Sequence, residues 1–176
     1  MRRPAQAITS AKTSRNQIPA VYSKIPKLLG WPYFWGHTAE VLDYGGGAYD
    51  TFTDKLASHR VRNYVYDPFN RSPEHNALVE RLLRVKKAEV AVCANVLNVI
   101  REREARQKVL EHIKELTIAD AMVFIDVYEG DKTSRGKVTS NGWQAHRPLK
   151  NYLREVRRTF PDAWCKGGLI VAGLPR

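Results

Sequence analysis

Three short polar segments of the chain each follow an apolar run. In the first, VLDYGGG (residues 41–47), glycines allow a ligand close to the backbone and tolerate positive φ. Asp43, beside them, can accept hydrogen bonds from an amino group or order the loop. Asp67 comes 24 positions later, and one carboxylate can accept two hydrogen bonds at once. The third segment begins at Asn95, after the apolar run AEVAVCA. An acid followed by glycines favours a cationic or zwitterionic ligand.

The same residues exclude several common sites. A dinucleotide fingerprint that starts at Gly45 would place its third glycine at Asp50, where a carboxylate would repel a pyrophosphate. NAD and FAD are therefore disfavoured, and the absence of GxxxxGK[ST] excludes a phosphate-binding P-loop. Cys93 and Cys165 have no metal-ligand spacing, and there is no HExxH or histidine cluster. We expect no metal site.

Apolar strand patterns alternate with helical patterns along most of the chain. The predicted strands are at Val41–Leu42, Arg62–Asp67, Ala88–Asn95, Ala121–Tyr128 and Leu169–Ala172. The predicted helices are Thr51–His59, a helix capped by Ser72 that ends near Val85, Ile100–Leu116 and Leu149–Phe160. This alternation predicts a single α/β domain with a mostly parallel sheet and helices on both faces. Ligands of such sheets bind beyond the carboxyl ends of the strands, where the three polar segments would lie.

VLDYGGG resembles the first motif of class I S-adenosylmethionine-dependent methyltransferases, an acid followed by GxGxG. Asp43, Gly45 and Gly47 match this motif, and Tyr49 replaces its third glycine. The resemblance covers about residues 19–172, and DYGGG, NVLNVI and VYEGD are similar to small methyltransferase-like proteins of phages and bacteria. It implies a minimal Rossmann-like methyltransferase fold, S-adenosylmethionine as cofactor and methyl transfer as the reaction.

The resemblance also implies positions for the cofactor. The first motif contributes Asp43, Tyr44, Gly45, Gly46 and Gly47. Asp67 would bind both ribose hydroxyls, and Pro68 and Phe69 would lie near the adenine. Asn95 and Val96 match the family's fourth motif, with Asn95 nearest the methyl group.

The methyl acceptor has weaker signals. The [DNS]PP[YFW] motif of amino-methylating DNA enzymes is missing, and so is the Pro-Cys pair of cytosine-C5 enzymes. Cys93 is therefore more typical of a buried strand residue than of a nucleophile. If the acceptor is protonated, Glu129 is the candidate base and Tyr128 the second candidate. A polar loop from Glu129 to about His146 is expected to have no regular structure, and it either holds the acceptor or is solvated surface. Its candidate acceptor-binding residues are Lys132, Arg135, Lys137, Trp143 and Gln144.

The charge of the chain is strongly positive. Lys and Arg number 29 against 18 Asp and Glu, which gives a net charge of +11. The first acid is Glu40, and we expect residues 1–16 to form a flexible basic arm ahead of a domain at 17–176. This balance favours nucleic acid, or a larger protein assembly reached through the arm, although ordinary solubility charge is the alternative. An aromatic cluster at Trp31, Tyr33, Phe34 and Trp35 either packs in the core or stacks on bases.

The remaining features concern location. No apolar run approaches the ~20 residues of a membrane span, and the first residues have no apolar signal region. The two cysteines form no disulfide framework, which favours the reducing cytoplasm. The leading prediction is an S-adenosylmethionine-dependent methyltransferase whose acceptor the sequence leaves open, with nucleic acid as a candidate. The alternatives are a non-catalytic module of the same fold that binds nucleic acid or an assembly, and another enzyme that uses S-adenosylmethionine.

Overall fold

The computed structural model describes residues 19–29, 40–139 and 142–173. Its strands are β1 (Glu40–Tyr44), β2 (Arg62–Tyr66), β3 (Ala88–Ala94), β4 (Thr117–Asp126), β5 (Gly136–Thr139), β6 (Gly142–Ala145), β7 (Trp164–Lys166) and β8 (Leu169–Ala172). Its helices are α1 (Val21–Leu29), α2 (Thr51–Ala57), α3 (Pro73–Lys86), α4 (Arg103–Leu116) and α5 (Leu153–Val156), with 3-10 turns at Leu97–Val99 and Leu149–Tyr152. The basic arm and the aromatic cluster of Trp31, Tyr33, Phe34 and Trp35 lie outside the described residues.

The central sheet has six strands in the order β2-β1-β3-β4-β8-β7. The strands β2, β1, β3 and β4 run parallel, β8 runs antiparallel to β4, and β7 runs antiparallel to β8. The predicted α/β fold with a mostly parallel sheet is confirmed. Because the carboxyl ends of parallel strands meet at one edge, the residues that follow β1, β2, β3 and β4 share that edge.

Apolar side chains cover both faces of the sheet. On one face α3, α4 and α5 pack over β-strand residues such as Leu42 and Ile125. On the other face α1 and α2 pack over Val41 and Phe124. Every residue from Val90 to Cys93 is buried, which is why this run is continuously apolar. The predicted helices on both faces are therefore present.

The start of α3 follows from its sequence. The Ser72 hydroxyl accepts a hydrogen bond from the His75 N–H at 3.2 Å, and Pro73 takes the first helical position. α4 begins at Arg103 and not at Ile100, because Leu97–Val99 form a 3-10 turn and Ile100 is extended. β4 is also displaced from its prediction, since it begins at Thr117 and ends before Val127.

Two other predictions about the second half of the chain were wrong, and one strand was missed. The loop expected to have no regular structure contains the hairpin β5–β6, in which Lys137 pairs with Gln144. The helix predicted to run to Phe160 is a 3-10 turn followed by the four residues of α5. The short edge strand β7 was not predicted. Its three residues are too few to show an alternating pattern.

None of the described helices combines the length and the apolar character that a membrane span requires.

Candidate functional site

The glycine turn after β1 has the backbone conformation that its sequence predicts. Gly45 and Gly47 have φ of +78° and +82°, a region that side chains other than hydrogen disfavour. The Gly45 N–H donates a hydrogen bond to the Tyr66 carbonyl at 2.7 Å, which ties the turn to the end of β2. A Cβ on Gly45 would overlap the Val96 side chain, so glycine also allows this close packing.

Asp67 is the main hydrogen-bond acceptor of the site. The residue is 3% exposed. One oxygen accepts from the Gly47 N–H and the Asn70 side-chain amide, each at 2.9 Å. The other accepts from the N–H groups of Phe69 and Asn70 at 2.9 and 3.0 Å. A carboxylate has about four acceptor positions, so a hydroxyl ligand must replace one of these donors.

Arg71 and Asn76 support this turn, and both were missed from the sequence. The Arg71 guanidinium donates to the Gly47 carbonyl at 2.7 Å and to the Asp50 carboxylate at 2.8 Å. The Asn76 amide accepts from the Asp67 N–H at 2.9 Å and donates to the Asp67 carbonyl at 3.1 Å. Side chains therefore hold both the N–H and the carbonyl of Gly47. The family motif has its third glycine two positions later, where this chain has Tyr49. A short polar run between a strand and a helix was the only sequence signal for them.

Asp43 lies behind the turn. It is 2% exposed, and a Cβ on Gly46 would overlap its carboxylate. Burial raises the pKa of Asp43 to about 6, although hydrogen bonds from Tyr22 and Asn63 act in the opposite direction. Of the two roles expected for Asp43, the geometry favours ordering the loop.

This pKa predicts how stability depends on pH. The carboxyl of Asp43 is easier to protonate in the folded chain than in the unfolded chain, whose value is the ordinary one of 3.8. Its contribution to stability is therefore fully present below about pH 4 and is lost as pH rises through about 6. Relative to Asp43→Asn, the wild type should lose on the order of 3 kcal/mol of unfolding free energy across this interval.

Urea denaturation of both proteins at pH 4, 5, 6 and 7 measures this difference. Asp54→Asn, at an exposed position of α2, is the matched control and should show no such trend. A difference between wild type and Asp43→Asn that stays constant with pH would contradict the burial argument.

A pocket opens beside the turn at the carboxyl edge. It is lined by Tyr44, Gly45, Asp67, Pro68, Phe69, Asn95, Val96, Val99, Ile100 and Val109. Seven of these residues were predicted to bind the cofactor, whereas Val99, Ile100 and Val109 were missed. Asp43, Gly46 and Gly47 flank the pocket without lining it. Its volume of about 100 Å³ is below the roughly 300–1,000 Å³ of small-molecule sites, so a ligand of nucleoside size requires side chains such as the exposed Phe69 to move.

Asn95 lies where β3 and β4 end side by side. Its N–H donates to the Asp126 carbonyl at 3.0 Å, and its φ of +58° turns the chain out of the strand. The side chain is exposed. This position brings Asn95 to the same pocket as Gly45 and Asp67, as the three polar segments predicted.

No protein-family model and no curated protein sequence matches the chain. Solved structures do. The chain is similar to Burkholderia thailandensis 1,6-didemethyltoxoflavin-N1-methyltransferase, with TM-score 0.61 and 18% identity over 87% of this chain and 77% of that one. It is also similar to PigF with S-adenosylhomocysteine (TM-score 0.59, 14% identity, 90% of this chain and 62% of that one). A third similar structure is human N-acetylserotonin methyltransferase with S-adenosylmethionine (TM-score 0.52, 16% identity, 86% of this chain and 52% of that one).

The chain has the fold of class I S-adenosylmethionine-dependent methyltransferases. It spans 52% and 62% of the length of two of these three structures.

The two residues expected to act as a base, Glu129 and Tyr128, do not line the pocket. Glu129 accepts a hydrogen bond from the Leu149 N–H at 2.6 Å and forms an ion pair with Lys132 at 3.1 Å. The hydrogen bond from Leu149 is the main reason that the pKa of Glu129 is lowered, which makes this carboxylate a weaker base. Tyr128 is 53% exposed, and its ring contacts His146 edge to face. The structure gives Glu129 a structural role at the start of the second 3-10 turn.

The five candidate acceptor-binding residues all belong to residues 132–145, the hairpin segment that contains β5 and β6, and none lines the pocket. Lys132 pairs with Glu129, and Lys137 pairs with Asp131 at 2.9 Å. Arg135 is exposed, Gln144 is half-buried in β6, and the Trp143 ring lies against Gly136.

Cysteine and metal chemistry find no support at this site. Cys93 is fully buried, and burial raises the pKa of its thiol. Within the described ranges, no three His, Cys, Asp or Glu side chains are grouped so that they could hold a metal ion.

Proposed function

We propose that the chain binds S-adenosylmethionine at the pocket beside the glycine turn and transfers its methyl group. The observation that carries this proposal is that Gly45, Asp67 and Asn95, from three separate strand ends, line one pocket of a methyltransferase fold. All three of the similar solved structures contain S-adenosylhomocysteine or S-adenosylmethionine, which supports the same cofactor for this chain.

Each group of pocket residues has a distinct task in this proposal. The Asp67 carboxylate accepts the two ribose hydroxyls after two of its four present donors move away, one of them the Asn70 side-chain amide. Val96, Val99 and Ile100 provide an apolar surface for the adenine. S-adenosylmethionine supplies a methyl group that is already activated, so alignment of the acceptor near Asn95 provides most of the rate.

Calorimetry with S-adenosylmethionine tests the proposal. Asp67→Ala should weaken binding by about 1.5–3 kcal/mol, which is roughly 10- to 150-fold, because hydrogen bonds to a charged group are lost. Asp120→Ala, at an exposed position near the amino end of β4, is the matched control and should keep the wild-type affinity. Asn70→Ala separates the two roles of Asp67, because it removes a donor of the turn and leaves the carboxylate for ribose.

Equal affinity of wild type and Asp67→Ala, or no binding by either, would refute the cofactor site. Transfer of tritium from labelled S-adenosylmethionine into DNA, RNA and cell lysate then separates a methyltransferase from a non-catalytic module. Loss of the cofactor without transfer of its methyl group would indicate another enzyme that uses S-adenosylmethionine.

We also propose that the acceptor carries phosphate, with nucleic acid as the leading candidate. The net charge of +11 supports this class of acceptor. So does the exposure of Lys132, Arg135 and Lys137 on the hairpin segment that follows β4.

A further inference from the structure

A second cavity lies beyond the carboxyl end of β4. Its volume is about 400 Å³, which is within the roughly 300–1,000 Å³ of small-molecule sites. It is lined by Glu129, Lys132, Pro148, Leu149, Lys150 and Cys165. These residues come from the segment after β4, the second 3-10 turn and β7, whereas the cofactor pocket is lined mainly by residues that follow β1, β2 and β3. The two sites therefore share no lining residue.

The charges of this cavity favour an anion. Two lysines and one glutamate line it, which leaves a net charge of +1. Glu129 does not present a free charge, because one oxygen accepts from the Leu149 N–H and the other pairs with Lys132. The exposed Lys150 is then the group that an entering ligand meets. Lysine binds phosphate as a point charge, and Pro148 and Leu149 add an apolar wall against which a sugar or base can pack.

We propose that this cavity is a binding site for a phosphate group, carried either by a free nucleotide or by the backbone of a nucleic acid. Lys150 holds the phosphate, and Lys132 adds the N–H donors that its ion pair with Glu129 leaves available. Pro148 and Leu149 contact the attached sugar or base. Phosphate binding here does not depend on methyl transfer. Only the further role of the cavity as the place that anchors the methyl acceptor rests on the proposed function.

The reactivity of the Cys165 thiol, which lines the cavity, can report whether a ligand is bound there. The chain has two cysteines, of which Cys165 is exposed at the cavity wall and Cys93 is buried. Since the thiolate is the nucleophile and the buried thiol is also harder to ionise, iodoacetamide should react at Cys165 first. A phosphate ligand in the cavity should slow this single reaction.

The experiment measures the rate of Cys165 alkylation in the full chain at pH 8.5 and constant ionic strength. The added probes are inorganic phosphate, adenosine monophosphate and a single-stranded oligonucleotide. We expect at least a threefold decrease in rate with one or more of them. The decrease should disappear in the double variant Lys132→Met/Lys150→Met. It should persist in Lys86→Met/Lys108→Met, which removes two exposed lysines of α3 and α4.

Each outcome decides between sources or overturns the site. Protection by inorganic phosphate and adenosine monophosphate indicates a free nucleotide, and protection by the oligonucleotide alone indicates the nucleic acid backbone. No protection by any probe, or equal protection in the Lys132→Met/Lys150→Met variant, overturns the proposal. Calorimetry with S-adenosylmethionine is independent of these lysines, so failure of the phosphate site leaves the cofactor proposal untouched.

Discussion

Replacement of Glu155 by leucine is expected to lower the free energy of unfolding by about 3–5 kcal/mol. Glu155 and Arg106 are each 7% exposed, and the guanidinium of Arg106 donates to both carboxylate oxygens at 2.8 and 3.1 Å. Arg147 donates to the same carboxylate at 2.6 Å. Without Glu155, the buried charge of Arg106 has no counter-ion, which is far more costly than the loss of an exposed ion pair.

Denaturant titration at pH 7 measures this change, with Glu111→Leu at an exposed position of α4 as the matched control. The control should change stability by less than about 0.5 kcal/mol. The double variant Arg106→Met/Glu155→Leu should recover much of the loss, since it removes the unpaired charge. A loss below 1 kcal/mol for Glu155→Leu would show that water reaches the Arg106 charge.

The same ion cluster determines a pH dependence. Burial acts to raise the pKa of Glu155, but hydrogen bonds from Arg106 and Arg147 outweigh it and hold the pKa below its ordinary value. The stability that the cluster contributes is therefore present above the ordinary pKa and is lost as pH falls through the lower, folded value. The difference between wild type and Glu155→Leu should be constant near neutrality and shrink in acid.

The Arg106 side chain also contacts a residue that lines the pocket beside the glycine turn. Its guanidinium donates to the carbonyls of Ile100 and Arg101 at 2.9 Å each, and Ile100 lines the pocket. Variants of this cluster that still fold should therefore also bind S-adenosylmethionine more weakly.

Gly45→Ala is expected to weaken the binding of S-adenosylmethionine at least tenfold. The φ of +78° costs an alanine about 1–2 kcal/mol. Its Cβ would overlap the Val96 side chain, so either the turn or Val96 must move. Since both Gly45 and Val96 line the pocket, either movement changes the site.

Calorimetry and thermal unfolding, measured on the same variants, separate strain from overlap. Gly168→Ala is the matched control, because Gly168 has φ of +72° but its nearest neighbour to a Cβ is 3.9 Å away. It should lose only the stability that the strained φ costs, about 1–2 kcal/mol, and keep the affinity. Val96→Ala added to Gly45→Ala should restore part of the binding. Wild-type affinity of Gly45→Ala would place the cofactor elsewhere.

The glycine turn and the strand-end residues could be predicted because their signals are local. Asp43, Gly45, Asp67 and Asn95 each follow an apolar run, and the parallel sheet brings them to one edge. The supporting residues could not be predicted in this way. Arg71 contacts the Gly47 carbonyl 24 positions away, and Arg106 contacts Glu155 at a separation of 49. No sequence pattern of fixed spacing marks such pairs.

The hairpin β5–β6 was missed for a different physical reason. Every residue of β5 is exposed, so this strand has no buried side to produce an alternating pattern. Even its one large apolar residue, Val138, is 87% exposed, as in a loop. An exposed hairpin and an irregular segment therefore have the same sequence pattern, because neither alternates apolar and polar residues.

The two side-chain contacts on Gly47 have a thermodynamic consequence. The Gly47 N–H is held by Asp67 and its carbonyl by Arg71, so the loop is ordered during folding and not when a ligand arrives. Because the loop is already ordered, ligand binding costs little of the loop's conformational entropy. More of the contact energy between ligand and protein then remains as affinity. The rigidity comes from side chains, so a tyrosine at position 49 need not weaken the preorganised turn.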